Sequence, residues 1–317
     1  MGATGRKSLQ TRTGACPLRI LVIGAAGQLA RSLIEQARTN TKIIATGRRE
    51  IDLSLPAKVG AAVASQRPDA VINAAAYTSV DKAESDEALA WLINAEGPAA
   101  LAETCDALKV PIIHVSTDYV FAGTKDGLYK EDDLPGPLGV YGRSKLEGER
   151  RVAAACPRHI IVRTAWVHSP FGNNFVKTML RLAVTRPEIG VVVDQFGCPT
   201  YAPHLAQAIL TIAETVVERD APDDRWGIYH CTGGGSSTWH GLASEVFRSS
   251  RNFGGPTSTV RAIPTAEYPT PAPRPTNSRL DNSKLAKTFD IRLPDWRDGV
   301  EACVNRLLGP KASLSRA

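Results

Sequence analysis

The sequence predicts an α/β protein with a doubly wound, Rossmann-like parallel sheet and a smaller C-terminal lobe. Three observations support this class. Short apolar runs alternate with helical patterns up to Ala165, a glycine-rich turn follows the first apolar run, and beyond Ala165 proline and glycine become denser. Strands that alternate with helices favour parallel pairing with helices on both faces of the sheet, because each helix carries the chain back to where the next strand begins.

Five strands are predicted in the first half of the chain. Each is a short run of apolar and β-branched residues, such as RILVIG, KIIAT and HIIVRT, which is typical of buried strands. The strands span residues 19–24, 42–46, 70–74, 110–116 and 159–164, and helices are predicted over residues 28–38, 84–108 and 141–156.

The second half mixes shorter strands with helices. The strands are predicted at residues 190–193, 227–231 and 258–263, and the helices at 175–185, 203–218 and 237–250. Here the alternation is less regular than in the first half, so we expect a separate lobe with segments that can return to the sheet.

Composition excludes several classes of protein. The chain has 317 residues, 43% of them hydrophobic, and a net charge of +6. All 32 acidic residues lie within residues 20–309, whereas six basic residues lie outside that range, so the body is formally neutral and only the ends are basic. We therefore predict no nucleic-acid partner, and solubilising, disordered ends at 1–18 and 310–317.

The remaining bulk features predict a cytoplasmic protein. The six cysteines are scattered without a Cys-x-x-Cys pair, which is typical of a reducing compartment and argues against a zinc site. No apolar run is long enough to cross a bilayer, so no membrane partner is predicted. The polar N-terminus lacks the apolar core of a secretory signal.

The glycine-rich turn, GAAGQLA at residues 24–30, joins the first strand to the first helix. Gly24 and Gly27 let the backbone approach a dinucleotide diphosphate, which free N–H groups at the helix start can bind. Ala30 takes the third glycine position, where a small residue allows close packing of helix on sheet. The alternative is a tight turn without a ligand.

The end of the second strand predicts which dinucleotide binds. An acidic residue usually contacts the ribose 2′-hydroxyl of NAD there. This chain instead has Arg48 and Arg49, which suit a 2′-phosphate and favour NADPH, although NADH and two solvated arginines remain alternatives. The carboxylate of Asp52, next to Leu53, can accept from the adenine amino group.

Thr117, Tyr141 and Lys145 form the predicted catalytic set. Thr117 follows the fourth strand, and Tyr141 and Lys145 lie one turn apart on one helix face. A tyrosine has an ordinary pKa near ~10, and a nearby ammonium is expected to lower it. Tyr141 would then protonate a carbonyl oxygen held by Thr117, and Lys145 would also bind the nicotinamide ribose. The alternative is a surface Tyr and Lys.

These motifs resemble those of the extended short-chain dehydrogenase/reductases. Three further segments add to the resemblance: VSTDYVF at 115–121, YGRSKLEGE at 141–149 and DQFGCPT at 194–200. The chain is most similar to the dTDP-4-dehydrorhamnose reductase family, over residues 19–308 or so. The resemblance implies NADPH-dependent reduction of the 4-keto group of dTDP-4-dehydro-β-L-rhamnose, the last step of dTDP-L-rhamnose synthesis. Its implied partner is thus a nucleotide sugar.

The resemblance also implies roles for individual residues. Gln28 and Leu29 join Gly27 and Ala30 in the diphosphate turn, and Asp52 and Leu53 match the adenine contact. The remaining matches are a loop beside the cofactor, Ala76, Tyr77 and Thr78, and the substrate contacts Asp118 and Trp166.

The C-terminal lobe, mainly residues 171–309, is expected to bind the substrate, and residues 19–170 the dinucleotide. Asn174, Gln195 and Arg274 are candidate substrate residues, since an Arg suits a nucleotide diphosphate, but each can equally be a loop hydrogen bonder.

Other functions stay open. They are reduction of another nucleotide-linked 4-keto-6-deoxy sugar, and a non-catalytic regulatory subunit of the same fold, against which the intact catalytic set argues. A 4,6-dehydratase would carry an Asp-Glu pair after the threonine, whereas Asp118-Tyr119 follows Thr117 here. Some family members bind magnesium through glutamates at a dimer interface. Those positions find no match, so no metal is predicted, and a homodimer stays open.

Overall fold

The computed structural model describes residues 17–217 and 223–309. The predicted disordered ends and Cys16 therefore lie outside the described residues, except for positions 17 and 18. The first strand begins at Leu18, one residue before its predicted start.

A six-stranded parallel sheet forms the centre of the molecule, which confirms the predicted fold class. Its strands are β1 (Leu18–Ile23), β2 (Thr41–Thr46), β3 (Ala70–Asn73), β4 (Ile112–Thr117), β5 (His159–Thr164) and β10 (Gly227–His230), in the spatial order β10-β5-β4-β3-β1-β2. The strands are added to the sheet in opposite directions from β1, since β2 lies on one side of it and β3 on the other. The loops that follow β1 and β3 therefore separate and leave a crevice.

Helices cover both faces of this sheet. On one face lie α1 (Gln28–Glu35) and α8 (Ala202–Val216), packed through a core that includes Leu33, Ile209 and Ile20. On the other lie α2 (Pro56–Ser65), α5 (Gly97–Leu108) and α6 (Val140–Ala155), whose core includes Leu101. The two cores are nearly free of solvent, because both sheet faces are apolar.

The C-terminal lobe has its own core, which includes Val176, Phe247 and Val300. Three helices contribute to it: α7 (Phe175–Ala183), α9 (Trp239–Asn252) and α11 (Trp296–Leu308). The short strands pair as β7 (Glu188–Val192) with β12 (Thr259–Ile263), β8 (Phe196–Gly197) with β11 (Ser237–Thr238), and β6 (Val167–His168) with β9 (Thr200–Tyr201).

The structure differs from the predicted elements in two ways. Helices α2, α10 (Ser283–Phe289) and α11 were not predicted. The single helix predicted over 84–108 is divided into α4 (Glu87–Trp91), a π-helical turn (Leu92–Glu96) and α5, after the separate short helix α3 (Val80–Ala83). The π turn is closed by the Gly97 N–H, which donates to Leu92 O five residues earlier, and Pro98, which has no N–H to donate, follows it.

No helix within the two described ranges is long and apolar enough to cross a bilayer.

Candidate active site

A cleft of about 720 Å³ opens where β1, β3, β4 and β5 end. Ligands of doubly wound proteins bind at this edge of the sheet. Most of the predicted site residues line the cleft: Gly24, Gly27, Gln28, Leu29, Arg48, Asp52, Leu53, Ala76, Thr78, Thr117, Asp118, Tyr141, Lys145, Trp166 and Asn174. Five predicted residues are absent from its lining, namely Ala30, Arg49, Tyr77, Gln195 and Arg274.

The turn after β1 has the geometry that a diphosphate needs. Gly24 has a φ of +101°, and a Cβ there would lie 3.0 Å from the Ala75 backbone, so a side chain is excluded. Helix α1 begins at Gln28 without a side-chain cap, which leaves the N–H groups of its first turn facing the cleft. Ala30 is fully buried in the core under the helix, where a small side chain allows close packing of helix on sheet; its place in a diphosphate-binding turn stays a prediction.

The loop after β2 places one arginine at the cleft. Arg48 lines it, and its Nε lies 3.9 Å from Asp52 Oδ1. Arg49 is exposed and lies outside the lining. Burial opposes ionisation of Asp52, but hydrogen bonds from Ser54 and the charge of Arg48 together hold the pKa of this carboxyl below its ordinary value.

The three predicted catalytic residues converge in the cleft. Thr117 ends β4, and its Oγ1 accepts a hydrogen bond of 3.2 Å from the Tyr119 backbone N–H. Tyr141 and Lys145 lie one turn apart near the start of α6, whose first N–H, on Val140, donates to Glu84 Oε1 at 2.8 Å. Glu84 thus fixes the end of the helix that carries both residues.

Tyr141 does not have the lowered pKa that its sequence context predicted. Burial raises its pKa to about 12; a hydrogen bond with Thr117 lowers it and the charge of Asp118 raises it. Lys145, which was expected to lower this pKa, is bonded to other groups. Lys145 Nζ donates to Val115 O at 2.7 Å and lies 3.2 Å from His114 Nε2.

Three buried side-chain oxygens in the cleft have no hydrogen-bond partner among the described residues: Ser116 Oγ, Asp118 Oδ2 and Thr164 Oγ1. Burial raises the pKa of Asp118 to about 6, although Thr117 Oγ1 donates a hydrogen bond of 3.1 Å to its Oδ1. Buried polar atoms are seldom left unpaired, so these three oxygens are unusual features of the residues that line the cleft.

Trp166 lines the cleft in an unusual conformation. Its φ is +47°, and its ring stacks on Trp239 with centroids 3.5 Å apart and planes within 7°. A Cβ on Gly197 would overlap the Trp166 ring. The indole pair therefore forms a fixed aromatic wall, of which Trp239 was not predicted.

Two residues predicted to bind substrate have structural partners instead. Asn174 caps α7: its Oδ1 accepts from Lys177 N, and its Nδ2 donates to Gln28 Oε1 and Ser169 O. Gln195 bridges Thr265 and Trp239 outside the cleft lining, with distances of 3.1 and 3.2 Å. Their amides bond within the protein, and a direct contact of either residue with substrate stays a prediction.

Arg274 forms a two-pronged ion pair with Asp81, with Nη2 and Oδ2 2.8 Å apart. It lies outside the cleft lining but next to Tyr119, which is part of that lining and packs edge-on against Tyr141. These bonds and one from Nη1 to Ala272 O use three of the five N–H donors of Arg274, and two remain for a further acceptor.

Tyr77 also differs from the prediction, because it lies behind the cleft. Its hydroxyl donates to Asp86 at 3.0 Å, and its backbone pairs with the side chain of Asn94. Asn94 Nδ2 also donates to Ser144 Oγ, so the π-helical turn connects the loop after β3 to α6. Sequence reasoning missed Asn94; the nearby Gly97-Pro98 pair was the available signal.

His114, within β4, is another residue of the site that was not predicted. It is fully buried and touches Lys145 and Asn73. Asn173, which lines the cleft beside Asn174, is exposed and was not predicted. Across the described ranges, no group of three or more His, Cys, Asp or Glu residues could hold a metal ion.

Comparison with known proteins agrees with this geometry. A family model described as the RmlD substrate binding domain matches residues 18–308. A dTDP-4-dehydrorhamnose reductase of Sinorhizobium fredii (strain NBRC 101917 / NGR234) is 47% identical over 291 residues, which are 92% of this chain and 98% of that protein. The chain belongs to the dTDP-4-dehydrorhamnose reductase family.

Two further similar proteins have names that mention a cofactor or a substrate. The crystal structure of a dTDP-4-dehydrorhamnose reductase from Bacillus anthracis str. Ames in complex with NADP is 33% identical, with a TM-score of 0.85 and coverage of 92% of this chain and 99% of that one. A probable dTDP-4,6-dihydroxy-2-methyloxan-3-one 4-ketoreductase of Streptomyces antibioticus is 39% identical, over 94% of this chain and 99% of that protein. The family resemblance seen in the sequence is confirmed.

Proposed function

We propose that the chain is an NADPH-dependent oxidoreductase that reduces the 4-keto group of dTDP-4-dehydro-β-L-rhamnose to give dTDP-L-rhamnose. The observation that carries this is the convergence of Thr117, Tyr141 and Lys145 in the cleft that the glycine turn opens. That convergence occurs in a family whose members carry the name of this reaction.

The residues of the cleft fit the dinucleotide. The missing side chain at Gly24 gives the diphosphate access to the backbone, and the uncapped start of α1 offers N–H donors and a positive dipole end. Arg48, Asp52 and Leu53 all line the cleft, which supports contacts of Arg48 with the 2′-phosphate and of Asp52 and Leu53 with the adenine. Bound NADPH supplies the hydride.

The chain's own residues handle the oxygen and the proton. Thr117 and Tyr141 both line the cleft, and Thr117 is near enough to lower the pKa of the Tyr141 hydroxyl, so an oxygen bound between them lies near the phenolic proton. Tyr141 gives that proton to the substrate oxygen as the ketone is reduced. The pKa of Tyr141, about 12, keeps the hydroxyl protonated at neutral pH.

The sugar is proposed to lie between Asp118 and the indole pair. Asp118 and Trp166 both line the cleft, which supports a sugar bound between a carboxyl and an aromatic ring. Aromatic rings commonly pack on apolar faces of sugars, so the wall would fix the ring while Thr117 fixes the ketone.

The test is the oxidation of NADPH, followed by its near-ultraviolet absorbance, with enzymatically made dTDP-4-dehydro-L-rhamnose. Wild type should oxidise NADPH, and Tyr141→Phe should lose at least roughly a hundredfold in kcat, as expected of a general acid. The matched control is Tyr268→Phe, which alters an exposed tyrosine. NADPH that binds to wild type without being oxidised would contradict the proposal.

A second candidate keeps the reaction and changes the sugar. The Streptomyces antibioticus relative is named as a 4-ketoreductase of a different dTDP sugar and is nearly as similar as the reductases. Oxidation of NADPH with such a ketosugar, faster than with dTDP-4-dehydro-L-rhamnose, would favour this candidate. A cytoplasmic location and a homodimer stay predictions; the five described cysteines are free and buried, which suits a reducing compartment.

A further inference from the structure

Lys145 lies at the end of a buried hydrogen-bonded chain that starts in the loop after β3. The Ala75 N–H donates to Asn73 Oδ1 at 3.2 Å. Asn73 Nδ2 lies 3.0 Å from His114 Nδ1, and His114 Nε2 lies 3.2 Å from Lys145 Nζ. Lys145 Nζ donates in turn to Val115 O at 2.7 Å. Asn73 and His114 are paired residues on the neighbouring strands β3 and β4, so the sheet fixes their separation.

Along this row of hydrogen bonds, each donor points the same way, from Ala75 towards Lys145. Because the Ala75 N–H points at Asn73 Oδ1, the Asn73 NH₂ group faces His114 and needs an acceptor at Nδ1. The pKa of His114 lies well below its ordinary value, so the ring is neutral. Burial is the larger cause and the charge of Lys145 the smaller one. Its single proton then lies on Nε2 and points at Lys145 Nζ. A lysine can accept that hydrogen bond only as a neutral amine.

An ammonium at Lys145 would break this chain. It would need an acceptor at His114 Nε2, which moves the ring proton to Nδ1, against the Asn73 NH₂ group. Turning the Asn73 amide over would only move the conflict to the Ala75 N–H. In the first arrangement the fully buried Asn73 NH₂ group loses its acceptor, and in the second the partly buried Ala75 N–H loses its acceptor; donors away from water are costly to leave unpaired.

The surroundings of Lys145 act in the same direction. Burial lowers its pKa to about 8, and the charge of Glu149 on the same helix opposes this. Glu149 itself is paired with Arg163 of β5, with Arg163 Nη2 and Glu149 Oε2 2.7 Å apart, which offsets much of its charge. The remaining titratable neighbour is Tyr141, one turn away, whose high pKa leaves it uncharged.

We propose that Asn73 and His114 are positioning residues that favour the neutral amine of Lys145 in the free protein at alkaline pH, so that binding of the dinucleotide there is coupled to the uptake of a proton. The proton passes from solvent to Lys145 Nζ when the anionic dinucleotide enters the cleft. The inference rests on the proposed function, because it takes NADPH as the dinucleotide of this cleft.

Isothermal titration of the full-length protein with NADPH measures this uptake. The binding heat is compared in two buffers of different ionisation enthalpy. At about pH 9, one unit above a pKa of about 8, roughly nine-tenths of free Lys145 is neutral, so uptake should approach one proton per site. At about pH 7 most of the lysine is already protonated, and uptake should fall towards zero.

Two variants test whether Asn73 and His114 control the protonation of Lys145 or only pack against it. In His114→Gln, an amide oxygen can accept from an ammonium, so Lys145 should stay protonated and uptake at about pH 9 should fall to less than roughly half. Asn73→Asp places an acceptor against His114 Nδ1, so the ring proton moves to Nδ1 and Nε2 can accept from an ammonium at Lys145. Proton uptake should fall as it does in His114→Gln, with a smaller change in side-chain shape. His159→Gln is the matched control, because His159 lies on β5, where it bonds to Cys156 O.

The outcomes are distinct. NADPH binding by wild type without proton uptake at about pH 9 would overturn the inference and leave the proposed function intact. Uptake that persists unchanged in His114→Gln and Asn73→Asp would overturn it too, because the proton would then bind elsewhere. Failure of wild type to bind NADPH would overturn the proposed function, and the inference with it. Uptake lost in both variants but kept in His159→Gln supports the inference.

Discussion

Lys145 and Asp118 show how burial at single residues sets the chemistry of this cleft. Burial disfavours the charged form of each group, lowering the pKa of Lys145 to about 8 and raising that of Asp118 to about 6. Both side chains are almost completely buried. The cleft therefore holds a set of groups whose charges respond to what binds there.

The buried Lys145 should make stability depend on pH. Its folded-state pKa of about 8 lies below its ordinary value of 10.5, so the folded protein bears a penalty that is fully present below about pH 8 and disappears as the pH rises to about 10.5. Lys145→Met removes the titration. We expect its stability advantage over wild type to shrink by on the order of 3 kcal/mol across that window.

Urea unfolding of both proteins between the two pH values measures this difference. Lys109→Met, which alters an exposed lysine, is the control and should show no such trend. A Lys145→Met advantage that stays constant with pH would mean that Lys145 has an ordinary pKa.

At the scale of elements, α6 is the helix whose placement decides activity, since it carries Tyr141 and Lys145. Its start is fixed by Glu84, its middle packs closely on the π-helical turn at Gly148, and Glu149 pairs with Arg163 of β5. A Cβ at Gly148 would overlap the Asn94 carbonyl, so α6 approaches that turn backbone to backbone.

Breaking the buried ion pair between α6 and β5 should be strongly destabilising. Both side chains are about 2–3% exposed. Glu149→Ala leaves the Arg163 charge buried without a partner and should cost about 3–5 kcal/mol of unfolding free energy. The double variant Glu149→Leu/Arg163→Met should recover most of this loss, because it removes both charges.

The exposed pair on the same helix supplies the control. Glu147 and Arg151 are partly exposed, so Glu147→Ala should cost less than about 1 kcal/mol. Chemical denaturation of the four proteins gives the comparison. Equal losses for Glu149→Ala and Glu147→Ala would show that burial does not govern the α6–β5 pair.

At the scale of the whole molecule, Gln28 joins the dinucleotide turn to the C-terminal lobe. Its Oε1 accepts from Ser169 Oγ and Asn174 Nδ2, both at 2.8 Å. Asn174 caps α7, which packs in the core of the lobe. The position of the lobe is thereby connected to the first turn of α1, where the diphosphate is proposed to bind.

Gln28→Ala should therefore affect the sugar nucleotide more than NADPH. The backbone N–H groups of the turn remain, but Asn174 and Ser169 lose an acceptor, and a lost hydrogen bond between two parts of a protein is worth about 1 kcal/mol. We expect KM for the nucleotide sugar to rise by roughly fivefold to tenfold and KM for NADPH to change by less than about twofold.

Steady-state kinetics with each ligand varied in turn tests this. Gln36→Ala is the matched control, because Gln36 follows the same helix and makes an exposed contact with Gln207 of α8. A larger rise in KM for NADPH than for the sugar would show that Gln28 acts on the dinucleotide itself.

The sequence by itself determined the fold class, the order of the five leading strands and the convergence of Thr117, Tyr141 and Lys145. These follow from local patterns, since apolar periodicity and glycine placement act over a few residues, and all parallel strands end at one edge of the sheet. The family resemblance added the substrate, because several motifs in order are far more specific than one.

Only the tertiary structure decided how the site residues are paired. Asn174, Gln195 and Arg274 bond to Gln28, Trp239 and Asp81, and His114 reaches Lys145, all across gaps of about 30 residues or more in the chain. The raised pKa of Tyr141 likewise comes from its burial. Burial and long-range pairing depend on how distant elements pack together, which local sequence patterns do not encode.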